Sequence, residues 1–134
     1  MNKIQELSET ELEIMNTIWK LNRVVTTPEL ISIFEKEGKI WRPQTMATFL
    51  TRMAKKGVLM VIRQGHSNLY TAKVSCDEYK KYQTQGILKK LYKGSLKNFL
   101  SALYFEEDIN DNELKEIKDW FNEKEKDNLW LIVF

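Results

Sequence analysis

Residues 41–57 read WRPQTMATFLTRMAKKG, and this stretch decides how the rest of the chain is organised. Proline's fixed φ suits a first helical turn, so Pro43 opens a helix, and Gly57 supplies the stop. Between them Met46, Phe49, Leu50 and Met53 recur at i, i+3, i+4 and i+7, one apolar stripe for a core. The opposite face carries Gln44, Thr45, Ala47, Thr48, Thr51, Arg52 and Lys55. Short side chains with long cations suit a close approach to the edges and phosphates of DNA, from which an acidic face would be repelled.

Working outward, Val58 to Arg63 reads as a strand, Gly65-His66-Ser67-Asn68 as a turn, and Leu69 to Lys73 as a returning strand. Upstream, Ser8 and Glu11 form a capping box, and Leu12, Met15, Ile18 and Trp19 give a first helix to about Leu21. Thr26, Pro28 and Glu29 open a second, with Leu30, Ile33 and Phe34 on one face and Gly38 at its end. Three helices followed by a β-hairpin is the winged-helix order, in which the hairpin is the wing and Arg63 and His66 lie near its tip.

Beyond the hairpin, Ser75 with Glu78 caps a fourth helix through Tyr79, Tyr82, Ile87, Leu88, Leu91 and Tyr92, ending near Gly94. A fifth apolar segment runs from Leu96 to Phe105, and Asn110 with Glu113 caps a sixth helix bearing Leu114, Ile117, Trp120 and Phe121. Short helices with this much aromatic surface bury it poorly alone, so a second copy is the economical cover. The expected class is mainly α with a small β-hairpin wing: a winged helix-turn-helix DNA-binding domain at 1–74, a helical dimerisation module at 75–126 and an apolar tail at 127–134. Expected dimer contacts are Tyr79, Tyr82, Leu88, Leu91, Tyr92, Phe99, Leu103, Leu114, Ile117, Trp120 and Phe121. The tail Leu129 to Phe134, uncharged and β-prone, is expected to pack on this module or on its partner.

Charge agrees with that division. Across 134 residues the net charge is +2, yet between Glu37 and Asp77 there is no acidic residue and there are seven basic ones: Lys39, Arg42, Arg52, Lys55, Lys56, Arg63 and Lys73. From Glu106 to Asp127 ten acidic residues stand against four lysines. One cysteine, Cys76, and one histidine, His66, assemble neither a zinc site nor an intrachain disulfide, and five glycines form no phosphate loop. No metal, cofactor or enzymatic activity is expected. The longest apolar runs fall far short of the roughly 20 residues of a spanning helix, so a cytoplasmic chain without membrane insertion is expected.

The stretch 41–57, together with Leu7-Ser8-Glu9-Thr10-Glu11 and Tyr92-Lys93-Gly94, resembles the penicillinase-repressor (BlaI/MecI) family over about Leu7 to Lys124. The resemblance implies a homodimer on an inverted-repeat, double-stranded DNA operator, repressing genes of the β-lactam-resistance type. It also implies release by proteolysis in the dimerisation half, triggered by a membrane sensor protease. The family's cleaved bond is typically Asn-Phe. Alignment on the flanking Lys-Gly and Glu-Glu-Asp brings Ala102-Leu103 to that place, and the chain's Asn98-Phe99 lies one helical turn earlier. The paired Cys-x-Cys motifs of copper-responsive relatives are absent, and so are the basic residues that some members have at Gln44 and Ala47.

The candidate DNA contacts are therefore Arg42, Gln44, Thr45, Thr48, Arg52, Lys55, Arg63 and His66, with Thr45, Thr48 and Arg52 facing the bases. Each has a plainer alternative. Arg52 and the threonines can be ordinary helix surface, His66 a turn residue and Cys76 a small buried hydrophobe. Trp41 reads as a staple of the fold rather than a stacking platform. The aromatics Tyr79, Tyr82, Tyr92, Phe99, Tyr104 and Phe105 can line a ligand pocket, though a dimer core is the simpler account. A rival reading for the basic face is an interaction module for an acidic protein surface.

Overall fold

The computed structural model describes residues 4–104 and 110–133, with side chains to Asp127. The elements run α1 (Glu9–Leu21), β1 (Val25–Thr26), α2 (Thr27–Lys36), α3 (Pro43–Lys55), β2 (Leu59–Gln64), β3 (Ser67–Ala72), α4 (Cys76–Tyr92), α5 (Leu96–Leu103) and α6 (Asp111–Val133). The chain divides into two compact units, Met1–Ile87 and Leu88–Phe134.

In the first unit the helix starts are those their caps dictate. Ser8 Oγ accepts from the Glu11 amide while the Glu11 carboxylate accepts from the Ser8 amide, so two otherwise orphaned donors are satisfied. Thr26 Oγ1 accepts from the Glu29 amide, and Pro28 and Pro43 stand in the first turns of α2 and α3. The apolar stripes then meet. Ile14, Met15 and Ile18 of α1, Leu30 and Phe34 of α2, and Met46, Leu50 and Met53 of α3 are buried together with Val58, Leu59 and Tyr70. Gly57, at φ +88°, turns the chain from α3 into β2 where a side chain would be strained.

The hairpin is tighter than the sequence reading. Ser67 and Asn68 belong to β3, paired with Gln64 and Arg63, which leaves a two-residue loop, Gly65-His66. Gly65 at φ +63° in the first loop position fits a type II′ turn, whose twist matches that of the strands. The antiparallel sheet has order β1-β3-β2, the added strand being the two-residue β1.

The first unit also extends beyond residue 74, where the sequence reading divides the chain. Tyr79, expected at the dimer contact, is instead buried in this unit: its hydroxyl accepts from the Leu7 amide at 2.9 Å and its ring lies 5.7 Å from that of Trp19. Trp19 Nε1 donates to the Val74 carbonyl, so the start of α4 is fastened to α1. The division consequently falls inside α4.

In the second unit Ser95 Oγ caps α5 by accepting from the Asn98 amide, and Asn110 Oδ1 caps α6 by accepting from the Glu113 amide. Tyr92 and Phe99 meet edge to face at 5.6 Å. The tail expected as a separate segment continues α6 to Val133, because neither Gly nor Pro interrupts the run after Asp127. Phe105 and the acidic Glu106, Glu107 and Asp108 lie outside the described residues, as do the side chains of the tail from Asn128. Among the described residues no helix is long and apolar enough to cross a membrane.

Candidate nucleic-acid interface

The polar face of α3 exists because the helix buries only Met46, Leu50 and Met53 and half-buries Phe49. What remains outward is Gln44, Thr48, Thr51, Arg52 and Lys55, which with the half-buried Ala47 line one shallow depression of about 460 Å³. Arg42 and Thr45 line a neighbouring one of about 450 Å³ with Lys39, Ile40 and Trp41. Arg63 and His66 are exposed at the wing tip and belong to neither depression. Six of the eight expected DNA contacts thus gather on α3 and its leading turn, and two stand on the hairpin.

Charge on this surface is sharper than the sequence count. Lys39 is bonded to Glu13, and Lys56 to the fully buried Glu11, so two of the seven cations serve the fold. Burial raises the Glu11 pKa, but hydrogen bonds from Lys56 and Ser8 outweigh it and hold the carboxyl below its ordinary value. Arg42, Arg52, Lys55, Arg63 and Lys73 have no carboxylate partner among the described residues. Cations without a protein partner are those available to displace counterions from a phosphate backbone.

Arg52 is also positioned. Its guanidinium lies 5.3 Å from the Phe49 ring centre, a cation–π contact worth about 0.5–1 kcal/mol at an exposed site. Phe49 meets Trp41 edge to face at 5.3 Å, and Trp41 stands 6.3 Å from the buried Phe34. An aromatic series therefore runs from the core to the underside of the arginine, and Trp41 is the staple expected of it. Phe49 is the residue that sequence reasoning counted only as core. Its place three residues before an arginine was the available signal.

The second unit offers a different surface. Tyr82, which lies in the first unit's part of α4, is exposed, as are Leu91, Leu103, Ile117, Trp120 and Phe121. Leu88, Tyr92, Phe99 and Leu114 are half-buried. Leu96, Leu100, Leu103, Tyr104, Leu114 and Ile117 line an apolar groove of about 630 Å³ between α5 and α6. Ala102 and Leu103 are exposed in the last turn of α5, and Cys76 is half-buried at the start of α4. Among the described residues no cluster of metal-ligating side chains occurs.

A three-helix unit with a hairpin wing and a carboxylate-free polar recognition face is a winged-helix DNA-binding architecture. The sequence profile described as penicillinase repressor matches residues 7–123, and the chain belongs to that family of transcriptional repressors, which are not enzymes. The penicillinase repressor of Bacillus licheniformis is 30% identical over 117 residues, spanning 87% of this chain and 90% of the relative. The methicillin resistance regulatory protein MecI of Staphylococcus aureus is 28% identical over 123 residues, 92% of this chain and 98% of the relative. The solution structure of the DNA-binding domain of the repressor BlaI aligns with a TM-score of 0.50 at 37% identity, over 59% of this chain and 94% of that one.

Proposed function

We propose that this chain represses transcription as a homodimer on an inverted-repeat operator of double-stranded DNA, controlling genes of the β-lactam-resistance type. The observation that carries the reading is the exposed face of α3, where Gln44, Thr48, Arg52 and Lys55 share one depression free of carboxylates. In this reading α3 enters the major groove with Thr45, Thr48 and Arg52 toward the base edges. Arg42, Gln44 and Lys55 secure the helix ends, and Arg63 and His66 bring the wing to the backbone. Phosphate contacts supply most of the affinity and the bases supply the register.

Dimerisation is supported by the burial pattern of the second unit: among the described residues from Leu88 to Asp127, not one is buried. Two copies joined through this surface carry two recognition helices, whose half-sites then stand about one helical turn, roughly 34–36 Å, or a multiple apart. Release by cleavage at Ala102-Leu103, triggered by a membrane sensor protease, completes the reading. Both residues are exposed, although a protease that grips an extended segment must first unwind the last turn of α5.

The reading is tested by fluorescence anisotropy with a duplex from upstream of the gene and a scrambled duplex, across a salt series. A preference on the order of a thousandfold for the native sequence and a steep salt slope are expected. Arg52→Ala is expected to cost about tenfold to a hundredfold in affinity while the fold is kept, the lost contact with Phe49 lowering the melting temperature by no more than a few degrees. Equal, weak binding to both duplexes would favour an acidic protein partner instead.

A further inference from the structure

Two of the three threonines of α3, Thr48 and Thr51, are not free to act as donors. Thr48 Oγ1 donates to the Gln44 carbonyl and Thr51 Oγ1 to the Ala47 carbonyl, each at 2.9 Å and each one turn back along the helix. Both side chains are exposed. With the hydroxyl proton committed to the backbone, each threonine has left only its hydroxyl lone pairs and its γ-methyl to offer a ligand. Ala47, half-buried on the same depression, adds a third methyl. Gln44 and Arg52, which do carry donors, stand on the same depression.

The four base pairs present different groups to such a patch. In the major groove guanine shows two acceptors, which need donors, and a G·C pair carries no methyl. An A·T pair shows an amino donor on adenine, which a hydroxyl lone pair accepts, and the thymine 5-methyl, which packs on another methyl. The hydroxyl lone pairs accept equally from adenine N6 and cytosine N4, so it is the methyls that match this surface to A·T; guanine's two acceptors and a phosphate, which accepts only, find no donor on it.

We propose that Ala47, Thr48 and Thr51 form an A·T-reading patch at the centre of α3 that recognises thymine largely through its 5-methyl group, leaving guanine to Arg52. This rests on the DNA-binding reading above and adds Thr51 to the specificity residues. Replacing a contacted thymine by uracil removes only that methyl, and loss of about one buried methyl corresponds to roughly a fourfold weakening.

The test uses the full-length protein and a randomised duplex library, from which the preferred half-site is selected. That duplex is then resynthesised with each thymine changed singly to uracil. The expected result is an enriched A·T pair within the half-site at which uracil costs about fourfold. The cost should persist in Thr51→Val or Thr48→Val, which keep a methyl, and vanish in the corresponding serine variant at the contacting position. An enriched half-site in which every uracil substitution costs less than twofold would overturn the patch and leave the DNA-binding reading standing. Failure to enrich any sequence would overturn both.

Discussion

The two units of this chain handle their apolar residues in opposite ways. In the first, α1, α2 and α3 close a core in which Ile14, Met15, Leu30, Met46, Leu50 and Met53 are fully buried. In the second, Leu91 is 71% exposed, Leu103 54% and Trp120 53%. The contrast lies in what each helix set has to pack against. Three helices crossing over a small sheet can enclose a centre, whereas α5 and α6 form an open groove. A surface of that kind is costly in water and is characteristic of a protein–protein contact. The first unit closes a core with its own chain while leaving Ile40 and the outer face of β2 exposed, whereas the second buries none of its described residues.

The comparison is broken most severely by placing a charge in the groove. If two copies join through this groove as proposed, Ile117→Glu puts one unpaired carboxylate per copy into the interface at roughly 2 kcal/mol each, so dimer dissociation should rise about a thousandfold in sedimentation equilibrium. The amide spectrum of residues 7–74 should be unchanged, and an unaltered dimer would mean that the groove serves something else. Leu50→Ala tests the other side. It should cost about 3 kcal/mol of unfolding free energy in denaturant titration, because a closed core cannot collapse around the missing side chain.

Smaller effects come from the ion pairs. Lys56→Met strips Glu11 of its partner inside the core and should cost about 2 kcal/mol, the full penalty being reduced because Lys56 keeps some solvent access. Lys39→Met breaks the exposed pair with Glu13 and should cost less than about 0.5 kcal/mol. The smallest effect is a pH dependence. The Glu11 carboxyl titrates below its ordinary 4.5 in the folded chain. Its contribution is therefore present above that value and is lost as the pH falls through the lower, folded pKa. Glu11→Gln should flatten the acid limb of stability against pH; an unchanged limb would mean that other carboxylates set it.

Much of the first unit was legible because its signals are local. Ser8 with Glu11, Thr26 with Pro28, and Pro43 with Gly57 mark helix ends within a few residues, and the α3 stripe fixes by itself which face is left for DNA. What the sequence hid depends on distant partners. Tyr79 looks like any aromatic on an amphipathic helix until its hydroxyl is seen beside the Leu7 amide, 72 residues away. Lys39 and Lys56 count as footprint until Glu13 and Glu11 reach them. The two-residue β1 is too short for any periodicity to announce, and the tail's β-prone composition yields to a helix with nothing to stop it.

The most direct measurement compares binding of the intact chain to an inverted-repeat duplex and to the same duplex with one half-site scrambled, with stoichiometry read by sedimentation. Two chains on the repeat, bound at least a hundredfold more tightly than on the single half-site, are the expected result of a finished reading head joined through an unfinished module. One chain per duplex with equal affinity for both would contradict it.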